Sequence, residues 1–175
     1  MKWYYFAILV VIGCKESSNE PVHKFDYTGP LYAFNNVEMF ISDSGIVKGK
    51  LMANERLILQ NGDQHYPCGL NLEFFDDEGA VTTTFRADDV YQIAVKQQYK
   101  CTGNVIVRSL ESGDQLNTEL LYYEQRGGGK FHTDQFVTIK SDGEIHTGQG
   151  LESNVDFTEY RIVEPNGTIA IENFE

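Results

Sequence analysis

The chain of 175 residues is poor in cations. Lys and Arg number 14 against 26 Asp and Glu, a formal charge of −12. Nucleic-acid affinity comes mainly from Lys and Arg neutralising phosphates, so this balance excludes a nucleic-acid partner. A polybasic membrane face is excluded on the same ground. Proline is scarce too, with four residues against 16 glycines and 22 aromatics (11 Phe, 10 Tyr, 1 Trp). That composition points to β-rich structure with tight turns and excludes disorder. No stretch carries a 3.6-residue apolar stripe, and no apolar run reaches the roughly twenty residues a membrane helix needs.

The longest apolar run is short and N-terminal. Lys2 precedes ten apolar residues, Trp3 to Ile12, followed by Gly13-Cys14. A basic start and a short apolar run ending in a small residue describe a signal peptide. Val11-Ile12-Gly13-Cys14 is similar to a lipobox, where cleavage precedes a diacylglyceryl cysteine. The alternative is an ordinary secretory signal with an incidental cysteine. The lipobox reading divides the chain into a signal peptide at 1–13, lipidated Cys14 with a polar tether to 26, and one domain at 27–175. Two or more acyl chains on Cys14 anchor a protein stably.

Within the domain one phrase recurs: a large apolar residue, any residue, then a small one. It occurs at Leu51-x-Ala53, Tyr66-x-Cys68, Phe85-x-Ala87, Tyr99-x-Cys101, Leu116-x-Thr118, Phe131-x-Thr133 and Leu151-x-Ser153, at a mean interval of about 17 residues. Six positions on from each phrase come Leu57, Leu72, Tyr91, Val105, Tyr122, Val137 and Phe157, all apolar. The opposite parity is mainly polar, with Arg86, Asp88, Lys100, Glu119, His132, Asp134 and Glu152. A sustained period of two predicts half-buried strands with one wet face. Four positions on, the residue type is mixed (Glu55, Leu70, Asp89, Gly103, Leu120, Gln135, Val155), which marks a place where strands bend or face an opening. Asn61-Gly62, Glu78-Gly79, Ser112-Gly113, Asp142-Gly143 and Asn166-Gly167 supply the positive φ of hairpin turns. The expectation is an all-β, antiparallel stack of strand units that bury their faces only against neighbours.

Several phrases then carry a resemblance: Thr102-Gly103-Asn104-Val105-Ile106-Val107, Gly113-Asp114-Gln115-Leu116-Asn117-Thr118, Leu120-Leu121-Tyr122-Tyr123, Thr133 to Val137, and Gly148-Gln149-Gly150-Leu151. In this order and spacing, from about Tyr27 to Phe174, they resemble the OstA/LptC superfamily of lipopolysaccharide export. With an N-terminal anchor the resemblance is to its membrane-held LptC branch, although a lipid stands where that branch keeps a membrane helix. It implies a single twisted antiparallel β-jelly roll with no enzymatic activity and no cofactor. The protein would be held at the periplasmic face of the inner membrane. It would accept lipopolysaccharide from the permease subunits of an ABC transporter and pass it to a soluble LptA-like bridge protein. The implied lipid-binding groove comprises Phe85, Ala87, Thr118, Tyr122, Val137, Leu151 and Phe157. Small residues on its inward face either leave room for acyl chains or fill the narrow side of a dry sandwich.

Bridge assembly implies two exposed strand edges. One lies near Phe25 to Phe34; the other is Thr168 to Phe174, with Ile169, Ile171 and Phe174 as the partner edge, unless that strand merely closes the sandwich. Cys68 and Cys101 occupy equal positions in the phrase and are either a disulfide or two separate buried thiols.

Candidate chemistry is sparse. His132, Asp134 and His146 make the best metal trio, against the simpler account of polar residues flanking turns on a wet face. Gly127-Gly128-Gly129-Lys130 lacks the Ser/Thr and helix of a phosphate loop. Arg56, Arg86 and Lys100 are dispersed and read as solvated surface charges, with head-group contact as the other reading. The rival class is a surface or outer-membrane lipoprotein whose β-sandwich binds carbohydrate by stacking on exposed Tyr123 or Phe136.

Overall fold

Alternating apolar and polar residues, punctuated by positive-φ turns, build eleven antiparallel strands in a computed structural model that describes residues 27–126, 129–154, 157 and 159–167. The strands are β1 (Tyr32–Asp43), β2 (Ile46–Ile58), β3 (Gln64–Tyr66), β4 (Leu70–Phe75), β5 (Val81–Ala87), β6 (Asp89–Ile93), β7 (Gln98–Ser109), β8 (Gln115–Glu124), β9 (Lys130–Ser141), β10 (Glu144–Asn154) and β11 (Tyr160–Asn166). All belong to one antiparallel sheet, and the described residues contain no helix. Gly62, Gly79, Gly113 and Gly143 turn with φ between 77° and 87°, as their dipeptides predict. Ser44-Gly45 (φ 50° and 86°) makes a further hairpin turn that the sequence reading passed over. Gly167 follows the end of β11 without a positive φ.

Order along the sheet is almost order along the chain. β2 pairs with both β3 and β4, β4 pairs with β5, β3 with β6, and β5 and β6 both pair with β7. β3 with β4, and β5 with β6, therefore behave as single long strands broken in the middle. The sheet is a meander of bent strands running from edge β1 to edge β11.

The bend falls at one level in neighbouring strands. The register shifts between Thr102 and Val105 on β7, between Thr118 and Tyr122 on β8, and between Gln149 and Leu151 on β10. Gly69, Gly103, Asn104 and Gly150 take positive φ along the same line. A bulge inserts an extra residue and bends the strand. Repeated in neighbouring strands, it divides the sheet into two halves whose inner faces share one buried cluster, including Leu51, Tyr66, Phe85, Val90, Cys101, Val105, Leu121 and Leu151. Most of the mixed positions of the sequence phrase, Gly103, Leu120 and Gln135 among them, lie on this line. Fully burying each such Leu, Val or Phe contributes roughly 1.5–3 kcal/mol.

Polar side chains tie the bend together. Thr118 Oγ1 donates to the carbonyls of Phe136 (2.9 Å) and Leu120 (3.3 Å), and Thr133 Oγ1 accepts from the Gln135 amide at 3.1 Å. On the outer side Asn104 bonds Asp88, which also pairs with Arg86, and Gln149 bonds the Asp134 carbonyl. Two of the recurring small residues thus serve the bend with their hydroxyls, Thr118 satisfying carbonyls and Thr133 an amide.

Candidate functional site

A one-residue slip between paired strands turns one strand's side chains over relative to the other's, so β8 and β10 reverse their inward parity at the bend while β7 and β9 keep theirs. On β8, Leu116 and Thr118 point inward, but beyond the bend Leu121 and Tyr123 do. Tyr122, expected inside, pairs directly with Lys100 and His132 on the outer face. Its ring stacks on His132 at 5.2 Å and 17°. Leu57 and Tyr91 are outward for the same reason, opposite His65 and Lys100. Arg56 is correspondingly turned inward.

Between the two half-sheets lies an apolar cleft of about 170 Å³. Leu51, Leu70, Leu72, Phe74 and Phe85 wall it from one half, and Val90, Tyr99, Cys101, Tyr123 and Phe131 from the other. Gln125, and Ile41 of edge strand β1, complete it, and Ile41 is 46 % exposed, so the cleft reaches solvent on that side. Tyr123 packs against Tyr99 (5.9 Å) and Phe131 (5.0 Å), which forms a continuous aromatic wall. Burial pushes the Tyr99 hydroxyl up to about 12, helped by Tyr66 and Tyr123 and opposed by the nearby Arg56. Burial likewise pushes the Cys101 thiol up to about 12, with a smaller push from Asp89. These groups stay neutral, and the wall is hydrophobic in character. A larger hollow beside Asn36, Asn54, Asn71 and Arg86 is mainly polar and lies near the bend, and another, among Lys48, Phe75, Asp76, Ser109 and Phe157, lies at the far end of the sheet and mixes polar with apolar groups.

Of the residues expected to line a groove, Phe85 does so. Ala87 and Thr118 are buried at the bend, where close backbone approach rather than ligand space explains their size. Val137 and Leu151 are fully buried in closed core, where β9 meets β8 and β10. Phe157 lies on no strand; it occupies the β10–β11 turn with φ 57° and packs on Phe131 at 5.4 Å. Cys14, Ile169, Ile171 and Phe174 lie outside the described residues.

Cys68 and Cys101 are both free. Cys101 faces the core, whereas Cys68 is exposed in the β3–β4 turn near Glu55, so the bend separates two positions that the repeat makes equivalent. The histidines pair locally: His65 with Asp89 (2.7 Å), His132 with Glu124 (3.2 Å) and His146 with Glu144 (3.5 Å). Among the described residues no three His, Cys, Asp or Glu side chains come together. Tyr123 belongs to the inner wall; Phe136 is half exposed.

Sequence reasoning missed Ile41, Val90 and Tyr123 as cleft walls. Gly150 marks a parity reversal on β10, whereas on β7 Cys101, Val105 and Val107 keep one parity through Gly103-Asn104 and the reversal falls on neighbouring β8, which carries no glycine to signal it. No protein-family model matches the chain, and no curated protein matches it.

Proposed function

We propose that this protein carries lipopolysaccharide as a non-enzymatic β-jelly roll of the LptC type, held by an acylated Cys14 at the periplasmic face of the inner membrane. It receives the lipid from the permease subunits of an ABC transporter and passes it to a soluble LptA-like bridge module. The observation that carries this reading is the apolar cleft between the half-sheets, open along β1 and walled by Phe74, Phe85, Tyr99, Tyr123 and Phe131. A large antiparallel sheet of bent strands in near-chain order supports this reading, since the OstA/LptC resemblance implies an all-β, antiparallel fold.

At about 170 Å³ the cleft is smaller than the roughly 300–1,000 Å³ of small-molecule pockets. An acyl chain therefore enters by spreading the two halves about the line of bulges, with the cleft as its starting point. A net charge of −12 suits apolar-chain contact better than broad contact with an anionic head group.

The test is photo-crosslinking in cells, with a photoreactive amino acid at Phe74, at Tyr99 and at outward Tyr122, followed by detection of lipopolysaccharide adducts. Adducts are expected at Phe74 and Tyr99 and not at Tyr122. Equal adducts at Tyr122, or none at any site in folded protein, overturn the reading.

A further inference from the structure

We infer that Arg56 is the head-group anchor of the cleft, so the ligand is an amphiphile with an anionic phosphate or carboxylate head and an apolar tail. The inference rests on the cleft's being a lipid site and adds what the ligand's polar end must be.

The interior is graded. Its floor, at Leu72, Phe74 and Phe85, is purely apolar. Past the bend, the inward row across the other half-sheet runs Ile58, Gln64, Gln92, Tyr99, Tyr123, each directly opposite the next or its neighbour's partner. Arg56 lies two residues from Ile58 on that same inner face. Its guanidinium is 5.8 Å from the centre of the Phe34 ring, its cross-strand partner, and Nη1 lies 3.1 Å from Met39 Sδ. Met39 pairs with the cleft residue Leu51 and is two residues from Ile41, so Arg56 stands at the mouth of the same cleft.

Three features distinguish this cation from a solvated surface charge. First, Arg56 is partly buried and, among the described residues, makes no ion pair, although the chain carries nearly twice as many acids as bases. Second, its orientation is built: Nε donates to Gln64 Oε1 at 2.9 Å, and the same oxygen accepts from the Tyr66 hydroxyl at 3.2 Å. A guanidinium has five N–H donors, and the Gln64 amide oxygen, the Met39 thioether and the Tyr66 hydroxyl do not use them all. Third, Gln92, directly opposite Gln64, keeps a buried Oε1 with no hydrogen-bond partner among the described residues. A planar fork matches a phosphate or carboxylate in two parallel bonds, and a hydroxyl beside that anion would satisfy Gln92. Tyr32 (62 % exposed) and Phe34 (44 % exposed), on edge strand β1, pair with Ile58 and Arg56 and so share this face.

The experiment uses the full chain in bilayer vesicles with two clickable photoreactive probes: a monoacylglycerol and its phosphate monoester with the same chain. Wild-type protein is expected to capture the phosphate probe about tenfold more than the neutral one, a ratio in keeping with one charge-assisted bidentate contact. Arg56→Gln is expected to lower phosphate-probe capture to the neutral level and to leave neutral-probe capture unchanged. Arg56→Lys, which keeps the charge and loses the fork, is expected to lose about threefold of the preference and serves if the Gln variant does not fold. Equal capture of both probes by wild type, or an unchanged preference in either folded variant, overturns Arg56 as the anchor and leaves the cleft standing. Capture of neither probe by wild type overturns the cleft reading, and the inference with it.

Discussion

Tyr122 and His132 face each other across β8 and β9 with their rings stacked on the outer surface, while their chain neighbours Tyr123 and Phe131 meet 5.0 Å apart on the inner one. One step along each strand separates a solvent-side contact from a cleft wall. Tyr122→Ala is therefore expected to change stability by less than about 1 kcal/mol, whereas Tyr123→Ala costs about 3–5 kcal/mol. Urea denaturation of both variants checks this; equal losses would mean the parity beyond the bend is wrongly placed.

A buried carboxylate joins two turns. Asp63 accepts from the Ala94 amide (2.9 Å), Asn61 Nδ2 (2.7 Å) and the Tyr91 hydroxyl (3.1 Å). The Ala94 bond above all holds its carboxyl below the usual value; burial opposes it, and the Asn61 and Tyr91 bonds assist. A folded-state pKa below the unfolded one contributes stability that is complete above the unfolded value, near 4, and is lost as pH falls through the folded one. Asp63→Asn is accordingly expected to lose about 1–3 kcal/mol at pH 7 and much less near pH 2–3. Thermal melts of both proteins across this range test it, and a gap that widens in acid contradicts it.

The two thiols of the domain differ sharply in reactivity. Cys101 is buried and stays protonated with its pKa near 12, while Cys68 is exposed. With Cys14→Ser, thiol titration at pH 8 is expected to find one reactive group in the native protein and two after unfolding. A count of none before reduction would mean that the pair is bonded.

Gly69 and Gly113 share a positive φ, 73° and 77°, but not their surroundings. A Cβ at Gly113 meets nothing within 4 Å, whereas at Gly69 it would stand 2.3 Å from the Ala87 carbonyl oxygen. Gly113→Ala is expected to cost about 1–2 kcal/mol from backbone conformation alone. Gly69→Ala adds about 1–3 kcal/mol for forcing the bend apart. Equilibrium unfolding of the pair separates conformational strain from close approach.

Local pattern was enough to establish strands and turns, and it left either a bend or an opening at the mixed position of the phrase. Alternation from Leu51 to Ser153 specifies strands because side chains on a strand alternate faces, and Asn-Gly, Asp-Gly and Ser-Gly specify turns because they reach positive φ. The pairing register decided for the bend, which falls at Gly103, Leu120 and Gln135 of that mixed position. Tertiary structure alone decided which face Tyr122, Leu57 and Arg56 present. Parity beyond a bulge depends on whether a strand gains a residue relative to its neighbours, a property of the pairing and not of any one strand. For the same reason the cleft formed from Ile41, Phe74, Phe85, Tyr99 and Tyr123, which come from five different strands, and Arg56 turned inward beside it.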